Sequence, residues 1–197
     1  MIKIFGDPIS GNCLKVKWTC ERLRIPFTWQ DVDIMQGETR TPSFLSMNPA
    51  GQVPTVLLDD GRPLAQSSAI LLHLSQGSDL IPPDSYDRAK MLEWLFWEQY
   101  SHEPAVAVAR FQVKYLGKAP GELDSKLVER SHAALKRLDD ALAGADYLVA
   151  GRLTLADISL VAYTRMAGDA GFSLADYPAV DAWVSRIEAE LPIREPR

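Results

Sequence analysis

The sequence predicts an α/β domain followed by an all-helical domain. In the first part of the chain, short β-branched or alternating apolar runs are interleaved with segments of helical spacing. A stretch rich in Gly, Ser and Pro follows, and after it the apolar residues recur with the period of a helix. We therefore expect domains at residues 1–76 and 85–197, joined by a linker at residues 77–84.

Strand and helix patterns alternate within the first domain. The segments with strand patterning are residues 2–5, 27–34, 55–58 and 63–65. The segments with helical spacing are residues 12–23, 42–47 and 67–75. The polar, Gly-containing residues 59–62 predict a hairpin turn between the last two strands. The expected order is a β-α-β unit followed, after a short helix, by a β-β-α unit.

The second domain is helical in pattern throughout. Helices are predicted over residues 84–116 and 124–143, from Thr154 onward and from Pro178 onward. Pro104 is expected to bend or break the first of these, because proline lacks an amide hydrogen. Thr154 and Asp157 have the spacing of a capping box, and Pro178 suits the first position of the last helix.

Composition and charge argue against several classes of function. The 197-residue chain carries a net charge of −5 without a block of Lys and Arg, which argues against a nucleic-acid or anionic-membrane partner. No apolar stretch approaches the ~20 residues of a membrane-spanning helix, and residues 1–20 lack a secretory signal pattern. The sequence contains no metal-ligand cluster, phosphate-binding loop or dinucleotide fingerprint.

The two cysteines, Cys13 and Cys20, favour a reducing, cytoplasmic location. Their spacing on a predicted helix separates them by about two turns, which is too far for a disulfide. Two cysteines so close in sequence are also too few to form a disulfide framework.

Residues 48–56, with the helix start at residues 66–67, form the most informative motif. Pro54 precedes an apolar β-branched run, so it predicts entry to a strand through a turn in which a cis Val53–Pro54 bond fits. Such a turn directs the main-chain N–H and C=O of Val53 outward, where a peptide can pair with them. The free amides at the helix start suit a carboxylate. Together the two motifs predict a site for a small acidic peptide, although a tight turn and an ordinary N-cap explain each alone.

With these motifs in this order, the chain resembles a cytosolic glutathione S-transferase over essentially its whole length. It looks like a bacterial serine-type member, of the theta or delta kind. The first domain has the element order of the family's thioredoxin-like domain, and Gly151 with Thr154-x-x-Asp157 is similar to the capping motif of its helical domain. The resemblance implies a transferase that activates the thiolate of glutathione for attack on a small hydrophobic electrophile, without a metal, in a role such as detoxification.

The resemblance also implies how glutathione is bound. The matching positions are Arg40, Gln52, Val53, Pro54, Gln66 and Ser67. By resemblance, Val53 pairs with the cysteinyl main chain, the residues at 66–67 hold the γ-glutamyl end, and Arg40 with Gln52 holds the glycyl carboxylate. Gln66 stands where the family most often has an acid. A neutral amide pairs less strongly with the γ-glutamyl ammonium, so weaker binding is expected.

Ser10, just before the first helix, is the donor to the glutathione sulfur that the resemblance implies. A thiol of pKa ~8.5 is only a few per cent ionised at neutral pH, and lowering that pKa by ~2 units takes about 2.7 kcal/mol. A hydrogen bond to a charged acceptor supplies ~1.5–3 kcal/mol and a helix N-terminus ~0.3–1 kcal/mol. Asn12 is the second candidate donor. The simpler alternatives are an N-cap role for Ser10 and a turn role for Asn12.

Cys13 lies three residues after Ser10, where a thioredoxin-fold dithiol motif has its second cysteine. That second thiol is the less reactive and more buried of the two. Serine occupies the position of the reactive first cysteine, so we expect Cys13 to be a structural thiol.

The electrophile is expected against the long helix that follows the linker. The candidate residues lie at or near three-and-four spacing on it: Trp94, Trp97, Ser101, His102 and Phe111. Aromatic side chains suit a flat apolar electrophile, although packing of a core or subunit contact explains them equally well. His102 is more simply a surface or capping residue. The Arg110 and Lys114 pair equally suits solvated charge on an exposed face.

Two further expectations concern assembly and the rival functions. The resemblance implies a homodimer, loosely supported by apolar residues expected at the surface, namely Phe44, Met47 and Met91. A non-catalytic, regulatory glutathione-binding protein is one alternative function, favoured by the neutral Gln66. A glutathione-dependent thiol reductase or isomerase, acting through Cys13, is another.

Overall fold

The computed structural model describes residues 1–194, which form two compact units that divide between Ser78 and Asp79. This division falls inside the segment that the sequence predicts as a linker. The first unit contains a four-stranded sheet with helices, and the second is helical, so the predicted fold class is confirmed. Within residues 1–194, no helix combines the length and the apolar character that crossing a bilayer requires.

The sheet of the first unit has the strand order β2-β1-β3-β4. Its strands are β1 (Ile2–Gly6), β2 (Phe27–Asp31), β3 (Thr55–Leu57) and β4 (Pro63–Ala65). The pair β1–β2 is parallel and the other pairs are antiparallel, so helix α1 (Gly11–Arg22) serves as the crossover between the parallel strands. Strand β2 ends earlier than predicted because its last residue, Asp31, pairs with Gly6, where β1 itself ends.

Two further helices complete the first unit, α2 (Pro42–Met47) and α3 (Ser67–Leu74). Helix α1 contacts α3, and its side chains at Leu14, Val16 and Trp18 are almost completely buried. Gly6 is required at the end of β1, since a Cβ there would lie 2.6 Å from the Trp29 ring. The core of this unit therefore fixes where α1 begins.

The second unit is built from helices that largely match the prediction. Their bounds are α4 (Ser85–Trp97), a π-helical segment (Glu98–Ala107), α5 (Val108–Lys114), α6 (Ser125–Leu142), α7 (Leu155–Thr164) and α8 (Pro178–Glu190). Every residue of α7 is buried, which makes it the central helix. The residues predicted to face inward are buried as expected: Leu127, Leu135, Leu138, Leu142, Val180, Trp183, Val184 and Ile187.

The chain does not leave the helical conformation at Pro104, where the sequence suggests a bend or break. Pro104 lies inside the π-helical segment that joins α4 to α5. A π-helical turn shifts the hydrogen-bond ladder by one residue, which accommodates a residue without an amide hydrogen. Nη2 of Arg130 donates to the Pro104 carbonyl oxygen at 3.0 Å and so ties α6 to this segment.

Arg110 is buried, contrary to the expectation of an exposed charge. Its Nε lies 2.8 Å from Oδ2 of Asp169, and Nζ of Lys114 lies 3.3 Å from the other carboxylate oxygen. These contacts tie α5 to the short 3₁₀ turn Ala167–Ala170. A buried ion pair of this kind fixes a geometry because either partner alone would be a costly buried charge.

The apolar residues expected at the surface are mostly internal. Phe44 and Met91 are buried, so the expectation was wrong for both. The large exposed aromatic side chains of the described part of the second unit are instead Tyr86, Phe96, Tyr100 and Phe111.

Asp157 is the polar centre of the second unit. Its Oδ1 accepts hydrogen bonds from the Leu148 N–H and Trp183 Nε1–H, both at 3.0 Å. Its Oδ2 accepts from the N–H and the hydroxyl of Thr154, which confirms the predicted capping box at the start of α7. Burial raises the pKa of the Asp157 carboxyl, and these four hydrogen bonds oppose that rise.

Replacing Asp157 with Asn is expected to lower the free energy of unfolding by about 2–4 kcal/mol, because an amide NH₂ would face donors that need an acceptor. Chemical denaturation monitored by circular dichroism measures this loss. Asp140→Asn is the matched control, since that carboxylate pairs with Lys136 on an exposed face of α6 and contributes at most about 0.5 kcal/mol. Equal losses for the two variants would contradict a central role for Asp157.

Candidate ligand-binding site

Asn48 organises the turn that leads into β3. Its Nδ2 donates to the Gln52 carbonyl oxygen at 2.8 Å and to the Thr55 hydroxyl at 3.1 Å, while its Oδ1 accepts from the Ala50 N–H at 3.1 Å. Asn48 is itself buried. Sequence reasoning included Asn48 in the motif but gave it no role. An Asn followed by Pro at a turn was the available signal, because its side chain can imitate main-chain hydrogen bonds.

The Val53–Pro54 peptide bond at this turn is cis, as the sequence suggests. Within residues 1–194, the main-chain N–H and C=O of Val53 make no hydrogen bond, although Thr55 directly beyond them enters the sheet. Main-chain groups in such a position have the chemistry to pair with an extended peptide.

Arg40 lies against the same turn. Its Nη1 is 3.3 Å from the Ala50 carbonyl oxygen, and its guanidinium occupies the space beside Gly51, where a Cβ would come within 2.5 Å of Nη1. Gly51 also has a φ of +61°, which favours glycine. Arg40 and Gln52 are both exposed, so a cation and an amide are available together at one end of the turn.

The start of α3 brings together the residues predicted for the γ-glutamyl end. Gln66 occupies the N-cap position with φ 70° and ψ 113°, a conformation that costs a non-glycine residue roughly 1–3 kcal/mol and that clusters at functional sites. Its side chain is exposed and makes no capping hydrogen bond. Ser67 is buried, and its hydroxyl donates to Oδ1 of Asn12 at 3.1 Å.

Ser10 occupies the N-cap position of α1, but its side chain does not cap the helix. Ser10 therefore has the N-cap position that the simpler alternative expects, but not the side-chain hydrogen bond of an ordinary N-cap. Its hydroxyl instead interacts with the sulfur of Cys13, which also accepts from the Asp7 N–H at 3.4 Å. A hydroxyl has one hydrogen, so donation to a ligand sulfur would require this half-buried group to turn away from Cys13.

The two cysteines are free and buried, as expected. Burial raises the pKa of Cys13 to about 12, although the hydrogen bonds from Ser10 and Asp7 oppose that rise. Burial also raises the pKa of Cys20 to about 12, with a further contribution from the charge of Glu21. Both thiols therefore stay protonated at neutral pH, which counts against a redox role for Cys13.

The residues predicted for the electrophile lie in several places. Trp97 and Ser101 line a cleft of ≈ 460 Å³ in the second unit, whose lining residues are Trp97, Tyr100, Ser101, Arg130, Ala133, Ala134 and Arg137. Trp94 is buried beside Trp97, and the Arg137 guanidinium lies over both rings, 5.2 Å and 5.0 Å from their centroids. The structure does not bring His102 or Phe111 to this cleft.

His102 is completely buried, with its Nε2 3.0 Å from the Thr164 hydroxyl. That hydroxyl donates its own hydrogen to the Leu160 carbonyl oxygen, so it accepts from His102. Phe111 is exposed and stacks on Tyr115, with ring centroids 4.9 Å apart at 23°. Among the residues predicted to bind the electrophile, Phe111 thus has an aromatic ring that is exposed to solvent.

A metal site requires several ligand side chains close together. The His, Cys, Asp and Glu side chains of the described residues form no group of three or more that could hold a metal ion.

Comparisons with known proteins agree with this arrangement. The family model for the glutathione S-transferase N-terminal domain matches residues 9–76, and that for the C-terminal domain matches residues 95–190. The chain is 30% identical to glutathione S-transferase 3 of Zea mays, over 95% of this chain and 89% of the relative.

Two further similarities bear on function. The crystal structure of a glutathione S-transferase from Pseudomonas fluorescens is 42% identical, with a TM-score of 0.92 over 95% of this chain and 94% of that one. The chain is also 27% identical to protein URE2 of Candida glabrata, over 93% of this chain and 64% of the relative.

Both cysteines are expected to resist alkylation in the folded protein. With pKa values near 12 the thiolate fraction at pH 8 is about one in ten thousand, and burial blocks access as well. Mass spectrometry after iodoacetamide treatment at pH 8 should find unmodified protein under native conditions and two labels in denaturant. Rapid native labelling at Cys13 would contradict the structural role and revive the thiol reductase alternative.

Proposed function

The chain belongs to the glutathione S-transferase family, and from this premise we propose that it binds reduced glutathione, holds the sulfur as a thiolate and transfers it to a small hydrophobic electrophile. The observation that carries the proposal is the convergence, within the first unit, of a peptide-pairing turn, an exposed cation and the start of two helices. A tripeptide with a carboxylate at each end and a central thiol matches that set of groups.

The two ends of glutathione would be held by different elements. The main chain of Val53, before Pro54, would pair with the cysteinyl residue. Arg40 and Gln52 would hold the glycyl carboxylate, which their exposure beside the turn supports. The α3 amides, with the residues at 66–67, would hold the γ-glutamyl end at the positive end of that helix.

Ser10 would stabilise the thiolate by donating a hydrogen bond to the sulfur. Its hydroxyl takes no part in capping α1, so turning it from Cys13 to the ligand sulfur would leave the helix end unchanged. The required lowering of the thiol pKa by ~2 units corresponds to about 2.7 kcal/mol, within reach of one charge-assisted hydrogen bond plus a helix N-terminus. The thiolate would be the nucleophile that attacks the electrophile. Asn12, the second donor that the sequence suggests, accepts a hydrogen bond from Ser67 through its side-chain oxygen.

We place the electrophile on the exposed face formed by Phe111 and Tyr115. Their stacked rings, with Val108 and Leu116 exposed nearby, provide a flat apolar surface. The cleft beside Trp97 and Ser101 is less suited to an apolar substrate, because two arginines line it.

A non-catalytic regulatory function is the second candidate. The similarity to URE2 and the neutral side chain of Gln66 both support it. Glutathione binding without transfer to any electrophile would favour this candidate.

We further propose a cytoplasmic homodimer. Unpaired, buried thiols at Cys13 and Cys20 suit a reducing compartment. The exposed aromatic side chains of Tyr86, Phe96 and Tyr100 suit burial against a second copy of the chain.

Replacing Ser10 with Ala is expected to raise the pKa of the bound glutathione thiol by about 1–2 units, because the thiolate loses its donor. Conjugation at neutral pH should fall about tenfold or more. Ultraviolet titration of the thiolate absorbance measures the first effect, and initial rates measure the second. Ser46→Ala, an exposed serine on α2, is the control and should change neither. An unchanged thiol pKa in the Ser10 variant would overturn its role.

Replacing Phe111 with Ala is expected to raise KM for a flat aromatic electrophile about fivefold, since the stacking surface is lost. The thiol pKa of bound glutathione should not change. Steady-state kinetics at saturating glutathione provide the test, with Met35→Ala as a control for loss of an exposed apolar side chain. A rise in KM with Trp97→Ala and none with Phe111→Ala would assign the electrophile to the cleft instead.

A further inference from the structure

The starts of α1 and α3 are joined by one hydrogen bond. The Ser67 hydroxyl donates to Oδ1 of Asn12 at 3.1 Å, across a separation of 55 residues in sequence. Asn12 is the second residue of α1, and Ser67 is the first of α3. Ser67 is buried and Asn12 is half-buried, so water competes little for this bond.

This bond lies between the residue proposed for the sulfur of glutathione and the residue proposed for its γ-glutamyl end. Ser10, the proposed donor to the sulfur, directly precedes α1, and Gln66, proposed for the γ-glutamyl end, directly precedes α3. A hydroxyl otherwise rotates among staggered positions. The contact with Asn12 holds the Ser67 side chain in one of them before any ligand arrives.

The same contact constrains what Asn12 can do. An amide whose oxygen accepts from Ser67 is already held by that bond before the sulfur of a ligand is present. The observed hydrogen bond lets Asn12 orient Ser67 directly. To donate to the thiolate, the NH₂ group of Asn12 would in addition have to point at the sulfur.

We propose that Asn12 is a positioning residue that acts through Ser67 on the γ-glutamyl end of glutathione, and that it is not a donor to the thiolate. This inference rests on the proposed function. A Ser67 side chain that is already fixed loses less conformational entropy when a ligand binds to it, so such a ligand binds more tightly. A ligand that does not contact Ser67 gains nothing from this.

The proposal predicts a dependence on the γ-glutamyl group that a structural or thiolate-donor role would not produce. Asn12→Ala should weaken binding of glutathione and of γ-glutamylcysteine about fivefold, the value of one neutral hydrogen bond. Binding of cysteinylglycine, which lacks the γ-glutamyl group, should change less than about twofold. The thiol pKa of bound glutathione should stay at its wild-type value.

The experiment measures dissociation constants of these three thiols by titration calorimetry, and the thiol pKa by ultraviolet titration. It compares wild type, Asn12→Ala, Ser67→Ala and the double variant, with thermal unfolding to verify that each folds. Because Asn12 acts through Ser67, the double variant should lose little more than Ser67→Ala alone. Ser67→Ala tests the same bond from its other side, so the comparison does not depend on one variant folding.

The outcomes separate this inference from the function on which it rests. Equal losses for all three thiols, additive losses in the double variant, or a raised thiol pKa in Asn12→Ala would overturn the positioning role while leaving glutathione binding intact. Wild-type protein that binds none of the γ-glutamyl thiols would overturn the proposed function and this inference with it.

Discussion

The hydrogen bonds of the Asn48 side chain are the constraint on which the proposed site depends. One buried amide holds the Gln52 carbonyl, the Thr55 hydroxyl and the Ala50 N–H, and so fixes a turn in which the main chain of Val53 makes no hydrogen bond within residues 1–194. A peptide ligand that pairs with main-chain groups needs them held in advance, because ordering them on binding would consume the affinity gained. Arg40 lies against the same turn, so its position depends on Asn48 as well.

A second set of contacts prepares the other half of the site. Helices α1 and α3 contact each other in the first unit, and each has the positive end of its dipole at its start. Ser10 and Ser67 stand at those starts, and Asn12 connects them. The buried sulfur of Cys13 completes this region as a neutral packing group, since its pKa is too high for thiolate chemistry. An anion with a central thiol is the ligand that such an arrangement fits.

Local pattern sufficed to predict the strand and helix order, the hairpin and the capping box, because each depends on residues close in sequence. What it could not predict depends on partners far away in the chain. Strand β2 stops where β1 does. His102 and Arg110 are buried because Thr164 and Asp169 receive them. The links made by the side chains of Asn48 and Asn12 were missed for related reasons, since an Asn in a turn gives no sign of which groups its amide reaches.

Titration calorimetry of reduced glutathione with wild type and Asn48→Ala tests the central claim most directly. The account predicts one saturable site per chain in wild type and at least about a tenfold weaker dissociation constant in the variant, from the loss of the bonds that hold the turn. Thermal unfolding must verify that the variant is folded at the temperature used. No binding heat with wild type, or equal affinities for the two proteins, would contradict it.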